Sequence, residues 1–157
     1  MSVSFSELPD GAKIWIFPSS RKFYETELPK VLIEVESFLD QWTQLPCGFE
    51  LQYDRFIIIG VDTSKENLAL KQHDELTLFI QKLEANYDVT LLDRINVCYK
   101  QGKFVQYKDL IEFKKMLKAG SVSKKTLIFD NMITEKKYLE YDWEIPISES
   151  WMHRFFK

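Results

Sequence analysis

The run Phe56-Ile-Ile-Ile-Gly-Val61 constrains this chain more than any other feature. An uninterrupted apolar segment rich in β-branched side chains has no wet face to offer. It therefore reads as a central strand buried on both sides, and it is far too short to cross a bilayer. Such a strand needs neighbours, and the flanking sequence supplies them. Phe49-Glu-Leu-Gln-Tyr53 alternates like a half-buried strand and is turned back by Asp54-Arg55, while Lys13-Ile-Trp-Ile-Phe17 is a third strand stopped by Pro18.

Helical spacing appears once between these strands and twice after them. Thr26 reads as an N-cap, with Glu27 suited to the positive helix end and Pro29 tolerated in the first turn. Leu28, Val31, Leu32, Val35, Leu39 and Trp42 then make an apolar stripe that ends near Pro46. A polar segment from Asp62 to His73 leads to a second stripe at Leu76, Phe79, Ile80, Leu83 and Tyr87. Ile95–Lys100 and Phe104–Tyr107 flank Gln101-Gly102, where glycine supplies the positive φ of a tight hairpin. A third helix follows with Leu110, Phe113 and Leu117 inward and Gly120 as its stop. Thr126–Phe129 is a last strand, and a short helix opens at Thr134-Glu135. Residues 13–100 thus run β-α-β-β-α-β. That order predicts an α+β fold with a ferredoxin-like core, helices on one face of a mainly antiparallel sheet, extended by a hairpin strand, helix and strand.

The chain has 157 residues, of which 45% are hydrophobic and 15% aromatic. Folding a chain of that length removes about 70% of its unfolded surface from water, so neither a disulfide nor a metal is required. No linker or repeat interrupts it, and one domain over 1–157 is expected. Cys47 and Cys98 share no CxxC or Cys/His spacing and read as small buried hydrophobes. The first ten residues carry neither a basic region nor an apolar one, which points to the cytoplasm.

Catalytic chemistry finds little support. The glycines stand at 11, 48, 60, 102 and 120, so no pair has the spacing of a phosphate-cradling loop, and Phe104 follows Gly102-Lys103 where a hydroxyl would hold magnesium. A P-loop ATPase is excluded. His73-Asp74-Glu75 is the one cluster of His with carboxylates, and with Asp62 it offers a ligand set for a divalent ion. The stronger reading is structural: the acids favour a helix N-terminus and His73 sits in an exposed loop. No metal is therefore expected, and neither cysteine lies beside a base.

Charge is distributed unevenly. Lys100, Lys103, Lys108, Lys114, Lys115, Lys118, Lys124 and Lys125 face only Asp109 and Glu112 across the same segment, in a chain whose net charge is −3. An anionic partner is one reading, with Lys103, Lys108 and Lys115 as contacts. The stronger one is a solvated helix face, since there is no Arg in the segment for bidentate phosphate or base contacts. The tail, 142–157, is aromatic. Trp143, Trp151, Phe155 and Phe156 are expected to dock on the core, or alternatively to form a dimer contact with His153 and Arg154 at its rim.

Ile14-Trp15-Ile16, Trp42-Thr43, Tyr53-x-Arg55-Phe56-Ile57, Val61-Asp62-x-Ser64, Phe79-Ile80-x-x-Leu83-Glu84, Lys100-Gln101-Gly102, Phe129-Asp130-Asn131 and Trp143-Glu144-x-Pro146…Ser150-Trp151…Arg154-Phe155 occur in this order. Together they resemble a family of short bacterial proteins, best known from Bacteroidetes, commonly called "ABC transporter ATPase". The family often has His-Gly after the Trp-Thr pair and Ser-Gly-Cys-Ser-Ile-Asp opening the second helix. This chain has Gln44-Leu45-Pro46-Cys47 and Leu70–Glu75 there, and only Asp74 answers to the family acid. The resemblance implies no established activity, and the family name implies a nucleotidase that the glycine spacing argues against.

The leading expectation from sequence is a non-enzymatic cytoplasmic protein that works through contacts with itself or another protein. The alternative is a small-ligand binder or enzyme whose cleft lies at the end of the Phe56–Val61 strand, lined by Arg55, Asp62, Ser64, His73 and Asp74. Nucleic-acid binding through Lys100–Lys125 is a weaker third. No cofactor is specified by any motif.

Overall fold

The structure, a computed structural model, describes residues 1–93 and 95–155. The backbone forms two compact units, one from Met1–Leu92 with Thr134–Lys137 and one from Asp93–Ile133 with Tyr138–Lys157. The chain leaves the first unit and returns to it briefly, so no single shift of composition marks the division. The fold class is α+β, with helices and antiparallel sheets.

In unit one the order is β1 (Lys13–Pro18), α1 (Leu28–Trp42), β2 (Cys47–Gln52), β3 (Phe56–Val61) and α2 (Leu70–Tyr87). The sheet runs β1-β3-β2, antiparallel throughout, and every residue of the central β3 is buried. Alternation explains how one strand serves two faces. Ile57, Ile59 and Val61 join Phe17 and Cys47 in a core that also takes Val31, Val35 and Leu39 of α1 and Leu76, Ile80 and Leu83 of α2. A fully buried isoleucine contributes about 1.5–3 kcal/mol relative to exposure, so Ile57, Ile58 and Ile59 anchor the unit. On the other face two glycines admit the N-terminal segment. A Cβ on Gly60 would lie 2.8 Å from Leu8 Cδ1 and 2.9 Å from Phe5 Cε2, and one on Gly48 would lie 2.6 Å from the Val3 carbonyl oxygen.

Several local expectations change. Helix α1 begins at Leu28 after Glu27, and no side chain caps its first N–H groups, so Thr26 is not the N-cap. The Glu27 carboxylate instead accepts from Tyr24 N at 2.8 Å and is gripped by Arg21. Arg21 also donates to the Tyr87 carbonyl at 2.6 Å, tying the start of α1 to the end of α2. Leu32 is 42% exposed, because it follows the buried Val31 by one residue and so points about 100° away. Helix α2 starts at Leu70, earlier than its apolar stripe suggests, with Ala69 at the N-cap. His73 is therefore helical and half-buried, and its ring meets Trp15 edge-on at 5.7 Å.

Unit two contains β4 (Val97–Gln101), β5 (Phe104–Lys108), α3 (Leu110–Ala119), β6 (Leu127–Phe129) and β7 (Glu144–Pro146), in a sheet of order β5-β4-β6-β7. Strand β4 was the expected fourth member of a β-α-β-β-α-β sheet. It forms the expected hairpin with β5 through the tight turn at Gly102, whose φ is +63, but its other edge pairs with β6 through Tyr99 and Ile128, in a sheet separate from β1-β3-β2. The two-residue connection makes the hairpin the cheapest pairing available to β4. Asp109 caps α3 by accepting from Glu112 N at 2.8 Å, and Gly120 ends it with φ +75. The core holds Val97, Tyr99, Phe113, Val122 and Ile128 together with Ile147 and Met152 of the C-terminal segment. Trp143 is buried with Nε1 donating to Asn131 Oδ1 at 2.9 Å, whereas Trp151 is 45% exposed. Phe156 lies outside the described residues. The helix expected at Thr134 is a 3-10 turn at Lys136–Tyr138. Among the described residues no helix is long and apolar enough to cross a membrane.

Candidate functional site

Pairing of β2 with β3 decides where a site can form. Cys47, the first residue of β2, stands opposite Val61, the last of β3. The loop entering β2 and the loop leaving β3 therefore emerge side by side, and Asp62 N donates to the Pro46 carbonyl at 2.9 Å. Helix α1 ends just before the first loop and α2 begins just after the second. Between them lies a cleft of about 520 Å³, walled by Gln41, Trp42, Thr43, Gln44 and Leu45 on one side and by Glu66, Asn67, Ala69, Lys71, Gln72 and Glu75 on the other.

Its floor is fixed and its rim is free. Trp42 stacks on Phe38 at 5.4 Å and donates Nε1 to the Gln72 carbonyl at 2.8 Å, joining the end of α1 to the start of α2. Thr43 Oγ1 accepts from Leu45 N at 3.2 Å and shapes the loop. Gln72 reaches back to accept from Ala69 N at 3.0 Å. That bond is the half of a capping box that an alanine at the N-cap still allows. Among the described residues, the side chains of Gln44, Glu66, Asn67, Lys71 and Glu75 have no hydrogen-bond or ion-pair partner. Lys71 and Glu75 are four residues apart on one helix face, yet they form no ion pair.

The residues singled out from sequence fall elsewhere. Arg55 is buried at the opposite end of β3 from Asp62, roughly 20 Å away at about 3.3 Å per residue. Its backbone N donates to the Gln52 carbonyl and its carbonyl accepts from Ser19 N, both at 3.0 Å. Asp62 and Ser64 are brought together: Ser64 N donates to Asp62 Oδ1 at 3.0 Å, and this bonding to Ser64 holds the carboxyl below its usual range. His73 is engaged with Trp15, and Asp74 is exposed. None of these five lines the cleft. In unit two, Lys103 sits at the hairpin tip with Nζ 5.7 Å from the Phe104 ring. Lys108 ends β5, Lys115 pairs with Glu112 at 3.3 Å, and Arg154 lies over Phe155 at 5.1 Å.

The cleft residues that sequence reasoning missed sit in two unremarkable polar stretches, Gln41–Gln44 and Glu66–Gln72. Only the Cys47–Val61 register brings them face to face. Both cysteines are buried and neither is in a disulfide, and burial pushes the Cys47 thiol above its ordinary value. Among the described residues no three His, Cys, Asp or Glu side chains are grouped so as to hold a metal ion. No family model matches the chain, and neither a curated protein nor a solved structure matches it.

Proposed function

We propose that this is a cytoplasmic protein that binds a small polar molecule in the cleft at the end of β3. One observation carries this reading: a rim of Gln44, Glu66, Asn67, Lys71 and Glu75, unpartnered among the described residues, surrounds an apolar floor of Trp42 and Leu45. Ligand sites are concave, mostly preformed and about 300–1,000 Å³, with a few polar groups that orient the ligand. A rim with both charge signs suits a ligand that carries both, or several hydrogen-bonding groups. The β1-α1-β2-β3-α2 run has the order of a ferredoxin-like unit short of its last strand, and we take it as the scaffold. Kinship with the short bacterial proteins named for ABC transporters rests on the ordered motifs from Ile14 to Phe155, and it adds no nucleotide chemistry.

A thermal-shift screen with amino acids, nucleosides, sugars and nucleotides tests the proposal. A ligand present at 100 times its Kd stabilises by about 2.7 kcal/mol, roughly 5–10 °C for a chain of this size. Lys71→Ala and Glu75→Ala are expected to abolish the shift, and Asp62→Ala to leave it intact. The reading fails if no compound stabilises the protein, or if the shift survives both cleft substitutions.

A second reading, action through protein contacts, is favoured by a different observation. Trp151 and Ile111 remain in water in the unit whose charge is positive, with 11 Lys and Arg against 8 Asp and Glu, while unit one has 10 against 16. Nucleic acid fits less well, since Lys103, Lys108 and Lys115 are spread over a turn, a strand end and a helix.

A further inference from the structure

Two helix faces of this chain carry the same pattern with opposite sign. On α1 the solvent stripe includes Leu32 and Ile33, 42% and 66% exposed, followed by the exposed acids Glu36 and Asp40. On α3 the stripe is Ile111, 70% exposed, followed by the exposed bases Lys115 and Lys118. Neighbours three, four and seven apart share one face of a helix. Ile33 to Asp40 and Ile111 to Lys118 are both separations of seven residues, about 10 Å along each axis. Each stripe is thus an aliphatic spot with charge one and two turns further on, acidic on one helix and basic on the other.

We propose that the protein associates with a second copy of itself, α1 of one copy lying parallel to α3 of the other. Leu32 and Ile33 then cover Ile111, Glu36 meets Lys115 and Asp40 meets Lys118. The occupant follows from the charge match: a copy of this chain supplies the complement of each stripe at the same spacing. Existing contacts do not oppose it. Ser2 Oγ donates to Glu36 Oε1 at 2.7 Å and leaves its second oxygen available, and the Lys115–Glu112 pair is more than half exposed on both sides and so contributes little. A single pair of helices buries less than the roughly 1,000 Å² of a stable complex, so the association is weak and salt-sensitive.

The test is a charge swap read by sedimentation equilibrium from about 10 μM to 1 mM, a range that brackets weak association. The wild type is expected to show a mass that rises with concentration and falls with added salt. Glu36→Lys/Asp40→Lys and Lys115→Glu/Lys118→Glu each place like charges across the contact, and each is expected to weaken association at least about tenfold. Mixing the two variants sets opposite charges across either pairing of an α1 from one with an α3 from the other, so the mixture is expected to regain association that neither variant shows alone. All four positions are exposed, and circular dichroism checks that folding is kept. A wild type that stays monomeric throughout overturns the proposal. So do variants that associate like the wild type, or a mixture that remains as dissociated as its parts.

Discussion

Replacing Arg21 by Met removes a charge while keeping an apolar stem, and the structure sets the size of the loss. The guanidinium donates to Glu27 Oε1 at 2.9 Å, to Glu27 Oε2 at 3.1 Å and to the Tyr87 carbonyl at 2.6 Å, and it lies 4.2 Å from the centre of the Tyr24 ring. Hydrogen bonds to charged groups are worth about 1.5–3 kcal/mol when dry, whereas an open surface ion pair is worth about 0–1 kcal/mol. The side chains of Arg21 and Glu27 are 29% and 18% exposed, between those limits. We therefore expect Arg21→Met to cost about 2 kcal/mol at neutral pH, seen as a midpoint lower by roughly 4–8 °C. The pH dependence sharpens the test. Arg21 is the chief cause that holds the Glu27 carboxyl below its ordinary value. A depressed acid stabilises the fold above its unfolded pKa, and that contribution is lost as pH falls through the folded one. The gap between wild type and variant should thus narrow from pH 7 to pH 3 in urea melts. A cost below about 0.5 kcal/mol at pH 7, smaller than one charged hydrogen bond, or a gap unchanged at pH 3, would refute the reasoning.

Further outcomes follow from the packing. Gly48→Ala should cost more than Gly60→Ala, about 2–3 against about 1–2 kcal/mol in chemical denaturation. The first meets a backbone oxygen and the second meets the movable ends of Leu8 and Phe5. Phe113→Ala, at the fully buried centre of unit two, should cost about 3–5 kcal/mol by the same assay. Cys47, buried and with its thiol pushed up, should react with a thiol reagent at neutral pH far more slowly in native than in urea-unfolded protein.

Where local chemistry decides structure, the sequence speaks clearly. The unbroken apolar run at Phe56–Val61 could only be a covered strand, and the structure makes it the central one. Gly102 and Gly120 mark a hairpin and a helix end because both need positive φ. Partner choice is less legible. Nothing in Val97–Gln101 says whether the edge that the hairpin leaves open meets β1 or β6, so its sheet is settled only by pairing at longer range. The start of α2 is hidden for a related reason: Ala69 gives no capping signal, and Gln72 supplies the bond from inside the helix. The lining of the cleft was not legible. Asp62 and Ser64 satisfy each other in a turn, Arg55 belongs to the far end of the strand, and the rim comes from polar residues that mean little until Cys47 and Val61 are set side by side.

The claim that the cleft takes a ligand is tested most directly by backbone amide NMR during titration with the best compound from the thermal screen. Saturable shifts are expected at Thr43, Gln44 and Leu45 and at Glu66, Asn67 and Lys71, with β4, β5 and α3 unmoved. Shifts confined to α3 or to the C-terminal segment, or scattered without saturation, would contradict it.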